Sequence, residues 1–323
     1  MKKKISLEEN TKADNLSSSF PFHKELKMEI VSDLDKCFSL FEEFSTKKNL
    51  FETWEFRYAF YKGYNYKPHF ILLKEKNANV ALLPLWYDAT KEKYTWFGSD
   101  WVEEVGFFAK DKDLIPFLVS IAPTPLLLNA IRKEEVDLLK DKIPFTDDDA
   151  KYVLNLKGFK NHEDFLMTLK KNRRHDLRKD RRKIERRNPK VIINRFSDLK
   201  TLIKISEKRF KGDTDWEDQR RTETFKHIIK LGDDKSYKAR MITVKIGTRI
   251  AGVDINAIYK DTYFTLKCGY DVEDFPGIGN FINLFEIDDA IKMGLKKIDF
   301  LQNSYAWKNK FFESVPLYKY EKD

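Results

Sequence analysis

Residues 249–302 read RIAGVDINAIYKDTYFTLKCGYDVEDFPGIGNFINLFEIDDAIKMGLKKIDFLQ, and this stretch decides the fold. Apolar and β-branched residues predict strands at Ile250–Ile258 and Thr262–Cys268, joined by a tight turn at Lys260-Asp261. The strand Ala239–Ile246 precedes them across a second turn at Gly247-Thr248. After the three strands a glycine-bearing loop opens a helix from about Phe281 to Met293, and Lys297–Leu301 reads as another strand. An antiparallel meander, a glycine loop, a helix and a strand make one α/β unit.

Upstream, Asn161 is placed to cap a helix whose first turn carries Glu163 and Asp164, acids suited to its positive end. That helix is expected to run through a basic segment until Asn188-Pro189 stops it. Further helices are expected at Asp198–Phe210 and around Glu223–Leu231. The first half repeats the order: helices at Leu34–Phe44 and Phe51–Tyr61, then strands at His69–Leu73, Val80–Trp86, Tyr94–Phe97 and Val105–Ala109. Leu126–Leu128, a helix near Arg132–Lys140 and a strand at Tyr152–Leu156 complete it. The expected fold is therefore α/β (α+β): two tandem units, each a mixed, largely antiparallel sheet flanked by helices.

With 323 residues, the chain exceeds what one core comfortably serves. Twelve glycines, ten prolines and no repeated tract exclude collagen, solenoid and wholly disordered classes. Charge breaks sharply near residue 150: residues 1–150 carry 22 basic and 26 acidic side chains, and the remainder 39 and 26. The expected division is a basic, polar tail at 1–27, a first domain at 28–155 and a second at 156–323.

MKKKISLEENTKADNLSSS lacks an apolar stretch after its basic start, so it reads as a flexible tail and not as a signal peptide. Leu114–Ile131 is free of charge but holds Pro116, Pro123 and Pro125, which favours a surface helix followed by a strand over a membrane span. Peripheral membrane contact is still open to such a chain. Two distant cysteines, Cys37 and Cys268, fit a reducing, cytoplasmic compartment.

Several segments have the residue types for chemistry. Pro276-Gly277-Ile278-Gly279-Asn280 lies between strand and helix, where backbone amides and the helix dipole attract an anion. It is not a dinucleotide fingerprint, because Ile282 stands where the third glycine belongs; the plainer reading is a tight turn entering a helix. Lys170–Arg187 has eleven basic residues against three acids over a thin apolar seam of Leu166, Leu169, Leu177 and Ile184. Its arginines Arg173, Arg174, Arg178, Arg181 and Arg182 either bind a polyanion or form a solvated face partly neutralised by Asp176, Asp180 and Glu185. The aromatic segment Phe51–Phe70 is read as core, with a stacking platform as the alternative. Asp299 ends a strand with Tyr305 and Lys308 shortly beyond it, while Asp254 and Asp271 stand where a general base can sit. The chain has no Gly-x-Ser-x-Gly elbow, Walker loop or His-Glu-x-x-His, and its five histidines are scattered, so neither a metal nor a histidine triad is expected.

Taken together, LKKNRRHDLRKDRRKIE, RIAGVDINAIYKDTYFTLKCGYD, FPGIGN and IDFLQNSYAWK resemble the double-domain branch of the GNAT superfamily: Fem-like peptidoglycan aminoacyltransferases and polysaccharide-synthesis-associated acetyltransferases. The likeness is firmest over residues 160–310, and FETWEFRYAFYKGY and VALLPLW look like the family's degenerate first unit. It implies direct acyl transfer from a thioester or aminoacyl ester to an amine or hydroxyl. On that resemblance Gly277, Ile278, Gly279 and Asn280, with Tyr270 at the loop's start, would hold the donor's pyrophosphate. Asp254 or Asp271 would accept the acceptor's proton, Tyr305 would give one to the leaving group, and Lys308 would stabilise an acceptor phosphate or developing charge. Two positions depart from the pattern. Asp274 stands where the superfamily loop usually has Gln or Arg, and Asn303 replaces the glycine expected at the strand end.

The leading expectation is an acyltransferase using acetyl-CoA or another acyl-CoA on a phosphate-bearing sugar, nucleotide-sugar or cell-envelope precursor. The alternatives are an aminoacyl-tRNA-dependent Fem-like transferase and a non-catalytic nucleic-acid-binding protein on the same scaffold.

Overall fold

A computed structural model describes residues 26–98, 101–232, 236–303, 305 and 307–323. All but the last two residues of the expected 1–27 tail lie outside that range. In chain order the elements are β1 (Leu26–Val31), α1 (Leu34–Phe44), α2 (Trp54–Tyr64), β2 (Pro68–Glu75), β3 (Ala78–Asp88), β4 (Lys93–Trp96) and β5 (Phe108–Ala109). Then come α3 (Leu114–Ser120), β6 (Leu126–Arg132), α4 (Lys133–Leu139), β7 (Thr146–Asn155), α5 (His162–Thr168), α6 (Lys171–Glu185) and β8 (Lys190–Ile193). The last are α7 (Leu199–Arg209), α8 (Gln219–Leu231), β9 (Lys238–Ile246), β10 (Arg249–Tyr259), β11 (Thr262–Tyr270), α9 (Ile278–Lys292), β12 (Lys297–Asp299), α10 (Lys308–Phe311) and β13 (Glu313–Lys322).

The described residues through Tyr61, with Asn65–Asp148 and Pro316–Asp323, form one compact unit; Lys62–Tyr64 with Asp149–Val315 form the other. In the first, strands run in the order β1, β2, β3, β4, β6, β13, antiparallel except for the β4–β6 pair. The aromatic segment is core: Trp54 stacks on Phe97 at 5.3 Å between centroids, and Phe51, Phe60 and Phe70 are wholly buried. In the second unit the order is β7, β12, β11, β10, β9, β8, antiparallel except for β11–β12. Both units are thus mixed, largely antiparallel sheets flanked by helices.

The turns behave as their residues dictate. Gly247 takes φ 59° between β9 and β10, and Lys260 takes φ 51° between β10 and β11. The basic segment differs from expectation: the sequence predicts one helix from Asn161 to Asn188, and two form. Asn161 caps α5, its side chain accepting from Glu163 N at 2.8 Å. Leu169 and Lys170 are then extended, at ψ 154° and 143°, before α6 starts. The break lets α5 bury Phe165 and Leu166 while α6 lays Leu177 and Ile184 on α9, which a seam this thin cannot do on one straight rod. Strands β8 and β13 are not evident from sequence, being short or interrupted by charge.

Candidate active site

Strand β11 pairs with β10 along its length, but with β12 only at Thr262–Lys297, Tyr263–Ile298 and Phe264–Asp299. Beyond Phe264 no strand continues that edge among the described residues, so the rest of β11 and the chain after β12 do not pair, leaving an unpaired junction between them, here termed the V. The chain leaving β12 is held by its own polar groups. Asp299 accepts from Lys151 Nζ at 2.8 Å and from Leu301 N at 3.0 Å, with both charged side chains almost fully buried. The Lys308 ammonium donates to the carbonyls of Phe300 and Gln302, each at 2.6 Å, and reaches that of Leu301 at 3.4 Å. Leu301 and Asn303 sit at φ 61° and 75°, a left-handed backbone that side chains disfavour and this bracing sustains. Tyr305 is exposed, its ring 5.6 Å from Lys308 Nζ.

Beside the V and under α9 lies a buried polar cluster. Gly252, Asp254 and Asn256 alternate along β10 onto the face that α9 covers; a Cβ at Gly252 would meet Ile282 and Tyr270. Tyr270 Oη donates to Asp254 Oδ2 at 2.6 Å. Asn256 Nδ2 donates to Glu286 Oε1 at 2.7 Å and to Tyr263 Oη at 3.1 Å. Asp254 Oδ1 and Glu286 Oε2 have no donor between them, yet the two carboxyls are within hydrogen-bond reach of each other. A proton shared between the carboxyls would satisfy both oxygens. Burial raises Asp254 to about 7, and burial with the Asp254 charge holds Glu286 well above the carboxylate range. The thiol of Cys268, the cross-strand neighbour of Asp254, is reached by solvent though protein surrounds it on most sides; this desolvation and the Asp254 charge push it to about 12.

The loop into α9 is dominated by carboxylates. Arg249 pairs with both Asp271, at 2.6 Å, and Asp274, and Arg187 donates to the Asp274 carbonyl at 2.8 Å. Gly277 has φ 96°, and a Cβ there would lie 2.9 Å from Cβ of Asp180. Asn280 Nδ2 donates to Asp180 Oδ2 at 2.7 Å, so a carboxylate from α6 rests on the first turn of α9. Gly279 packs on the Tyr270 ring, and Ile278 points into the core. Coenzyme A, which the resemblance implies, would bring its pyrophosphate to this helix N-terminus. These residues do not fit it: the Asp180 carboxylate already occupies the first turn of α9.

Helix α6 divides its cations. Arg178 is held by Glu163 at 2.5 Å, and Arg181 by Glu185 at 2.7 Å with its guanidinium over Phe281. Arg173, Arg174 and Arg182, with Lys170, Lys171, Lys179 and Lys183, have no ion pair among the described residues. A groove of about 230 Å³ opens at the end of β11, lined by Lys204, Ile205, Lys208 and Arg209 of α7 and by residues 270–273.

The fold therefore joins Asp254 to Tyr270, and Tyr270 to the glycine loop. Asp271 instead faces Arg249, and Lys308 faces its own chain's carbonyls. Glu286, Asp180, Lys151 and Arg249 are not singled out by the sequence as site residues. Glu286 does carry a signal, one acid inside the apolar run Phe281–Ile287; Asp180 is visible only as partial neutralisation of its helix.

Residues 171–309 match the family model described as the acetyltransferase (GNAT) domain. Among solved structures the chain is similar to FemX, with TM-score 0.58 and 10% identity over 92% of this chain and 97% of that one. It is similar to L-PGS from Bacillus licheniformis, with TM-score 0.56 and 13% identity over 90% and 93%. It is also similar to a tandem GNAT protein from the clavulanic acid biosynthesis pathway, with TM-score 0.54 and 8% identity over 92% and 98%. No curated protein matches the chain.

Proposed function

Residues 171–309 match the acetyltransferase (GNAT) domain and the chain shares the fold of FemX and of a tandem GNAT protein; we propose that it is a double-GNAT, Fem-like acyltransferase whose donor is an ester carried on RNA, an aminoacyl-tRNA, and that the acyl group passes directly to an amine or hydroxyl. The observation that carries this reading is the Asp180 carboxylate on the first turn of α9, in the position a nucleotide pyrophosphate would need. The same helix turns unpaired lysines and arginines outward, which suits a phosphate backbone read by charge.

In this reading the donor's carbonyl enters the V between β11 and the chain after β12. Backbone N–H groups on the unpaired edge of β11 stabilise the oxyanion that forms when the acceptor's lone pair attacks. Collapse expels the ribose hydroxyl of the donor, and Tyr305, exposed beside Lys308, protonates it. Lys308 acts by holding the 300–302 carbonyls and so the width of the V. The acceptor is a phosphate-bearing sugar or envelope precursor, with Lys204 and Arg209 in the groove at the end of β11 to meet its phosphate.

Filter binding of bulk tRNA across a salt series tests the donor. Wild type should bind with a steep salt dependence, and changing Arg173, Arg174 and Arg182 together to Ala should lower the slope by about 2–3, or roughly 0.7–0.9 for each phosphate left unneutralised. Acetyl-CoA is the counter-probe, since a ligand at about 100 times its Kd adds about 2.7 kcal/mol of stability. A thermal shift with acetyl-CoA and no tRNA binding at low salt would replace the RNA donor with acyl-CoA. Binding of tRNA without transfer from any charged form would leave a nucleic-acid-binding protein.

A further inference from the structure

We propose that Tyr270, Asp254 and Glu286 form a proton relay, in which the Tyr270 phenol touches the acceptor and the carboxyl pair behind it stores the acceptor's proton. The inference rests on the acyl-transfer reading and adds the base that reading lacks.

The arrangement is poorly explained as packing. Asp254 is 3% exposed and Glu286 wholly buried, and no cation neutralises them among the described residues. The guanidinium of Arg240, the cross-strand partner of Asn256 on β9, is taken up by Asp289 of α9 through two bonds of 2.5 and 2.6 Å. The other facing groups are the Asn256 amide, the Tyr263 hydroxyl and the Cys268 thiol, none of which carries positive charge. Two carboxyls this close and this dry cannot both ionise, so the resting pair holds one proton and one negative charge. Hydrophobic residues of similar size would fill the same space without the desolvation penalty. Tyr270 is the outlet: its hydroxyl is bonded to Asp254, its ring lies on Gly279 at the loop, and its neighbour Cys268 is open to solvent in the V.

The step balances without a further reactant. As the acceptor nitrogen or oxygen bonds to the donor carbonyl, its proton passes to Tyr270 Oη while the Tyr270 proton passes to Asp254 Oδ2. The pair then holds two protons and no charge. It returns to its resting state when the proton goes back through Tyr270 to solvent; the expelled ribose oxygen takes its proton from Tyr305, which is exposed and regains one from solvent. Burial, which lifts Asp254 to about 7, matches the pair to this exchange near neutral pH.

The test has two arms on the full chain. In the first, carbon-13 carboxyl NMR follows the Asp254 and Glu286 resonances from pH 3 to 9 in wild type, Asp254→Asn and Glu286→Gln. One carboxyl should stay protonated to about pH 7 in wild type, and Asp254→Asn should bring Glu286 down, because the Asp254 charge is part of what raises it. Both carboxyls ionising below pH 5 in wild type would overturn the relay alone. In the second, consumption of bulk charged tRNA, or of acetyl-CoA, is followed against pH. Tyr270→Phe should lower kcat at least tenfold with donor KM unchanged, Glu286→Gln should move the acidic limb, and Glu286→Asp should restore part of it. Wild-type rates in Tyr270→Phe, or an unmoved limb in Glu286→Gln, would refute the relay while transfer itself stands. If wild type consumes neither donor, the acyl-transfer reading falls and takes the relay with it.

Discussion

Lys151 Nζ meets Asp299 Oδ2 at 2.8 Å with both side chains almost closed to solvent, at the point where β12 stops pairing with β11. The pair therefore anchors one arm of the V. Removing one partner strands the other charge in a dry site, which typically costs about 3–5 kcal/mol, whereas removing both at similar volume costs much less. Lys151→Met should lower the urea midpoint sharply, and Lys151→Met combined with Asp299→Leu should recover most of the loss. Equal midpoints for the single and double variants would show that the pair is not buried in solution.

Lys308 has three donors and three carbonyls within reach, two of them at 2.6 Å. Bonds to a charged group are worth about 1.5–3 kcal/mol, and Leu301 and Asn303 hold a backbone that relaxes when released. Lys308→Met should destabilise the chain by about 2 kcal/mol or more and speed amide exchange at residues 300–303 ahead of β9–β11. Unchanged exchange there would mean that the ammonium faces solvent or substrate instead.

Much of this architecture is legible in the sequence, because strands β9, β10 and β11 are long, β-branched and separated by two-residue turns. The site is less legible. Asp254 and Tyr270 stand out singly, but their bond spans a hairpin whose register shifts between Ile255 and Asn256, a bulge that no residue type announces. Glu286 looks like a solvent-facing acid until the helix that carries it proves buried on nearly every side. Asp180 reads as one more charge on a polar helix, because only the break at Leu169–Lys170 brings that helix against Gly277. Strand β13 is missed because Lys319, Glu321 and Lys322 mask its alternation.

The carboxyl pair also predicts how stability varies with pH. Asp254 is raised to about 7 in the folded chain from about 3.9 in the unfolded one, so between those values the native state binds more protons. The resulting stability is complete below about pH 4 and is lost as pH rises through 7, by up to about 1.4 kcal/mol per pH unit. Calorimetric midpoints of wild type should therefore fall more steeply from pH 4 to 8 than those of Asp254→Asn. Parallel profiles would place the shared proton elsewhere.

Cys37 is wholly buried and Cys268 is open to solvent, and both thiols are pushed up to about 12. Thiolate is the reactive form, so Cys268 should label with maleimide once per native chain at pH 7, at least about tenfold slower than a free cysteine. Cys268→Ser should abolish this labelling, with Cys37 reacting only after denaturation. Because Cys268 lies in the V, a bound donor should protect it; full labelling in the presence of saturating donor would move the carbonyl site off β11.

Asp180 makes the most specific prediction about donor choice. Its carboxylate accepts from Asn280 on the first turn of α9 and lies against Gly277, so it both satisfies the helix dipole and repels a second anion. Asp180→Asn keeps the shape and removes the charge. The variant should lose about 0.5–1 kcal/mol of stability, because a favourable anion at a helix N-terminus is gone. Its affinity for acetyl-CoA or inorganic pyrophosphate should rise roughly fivefold, equivalent to about 1 kcal/mol, as read by titration calorimetry. Binding of tRNA should change little, since the unpaired cations of α6 are untouched. Tight acetyl-CoA binding by wild type, unaffected by the substitution, would show that Asp180 swings aside and that the loop holds a nucleotide after all.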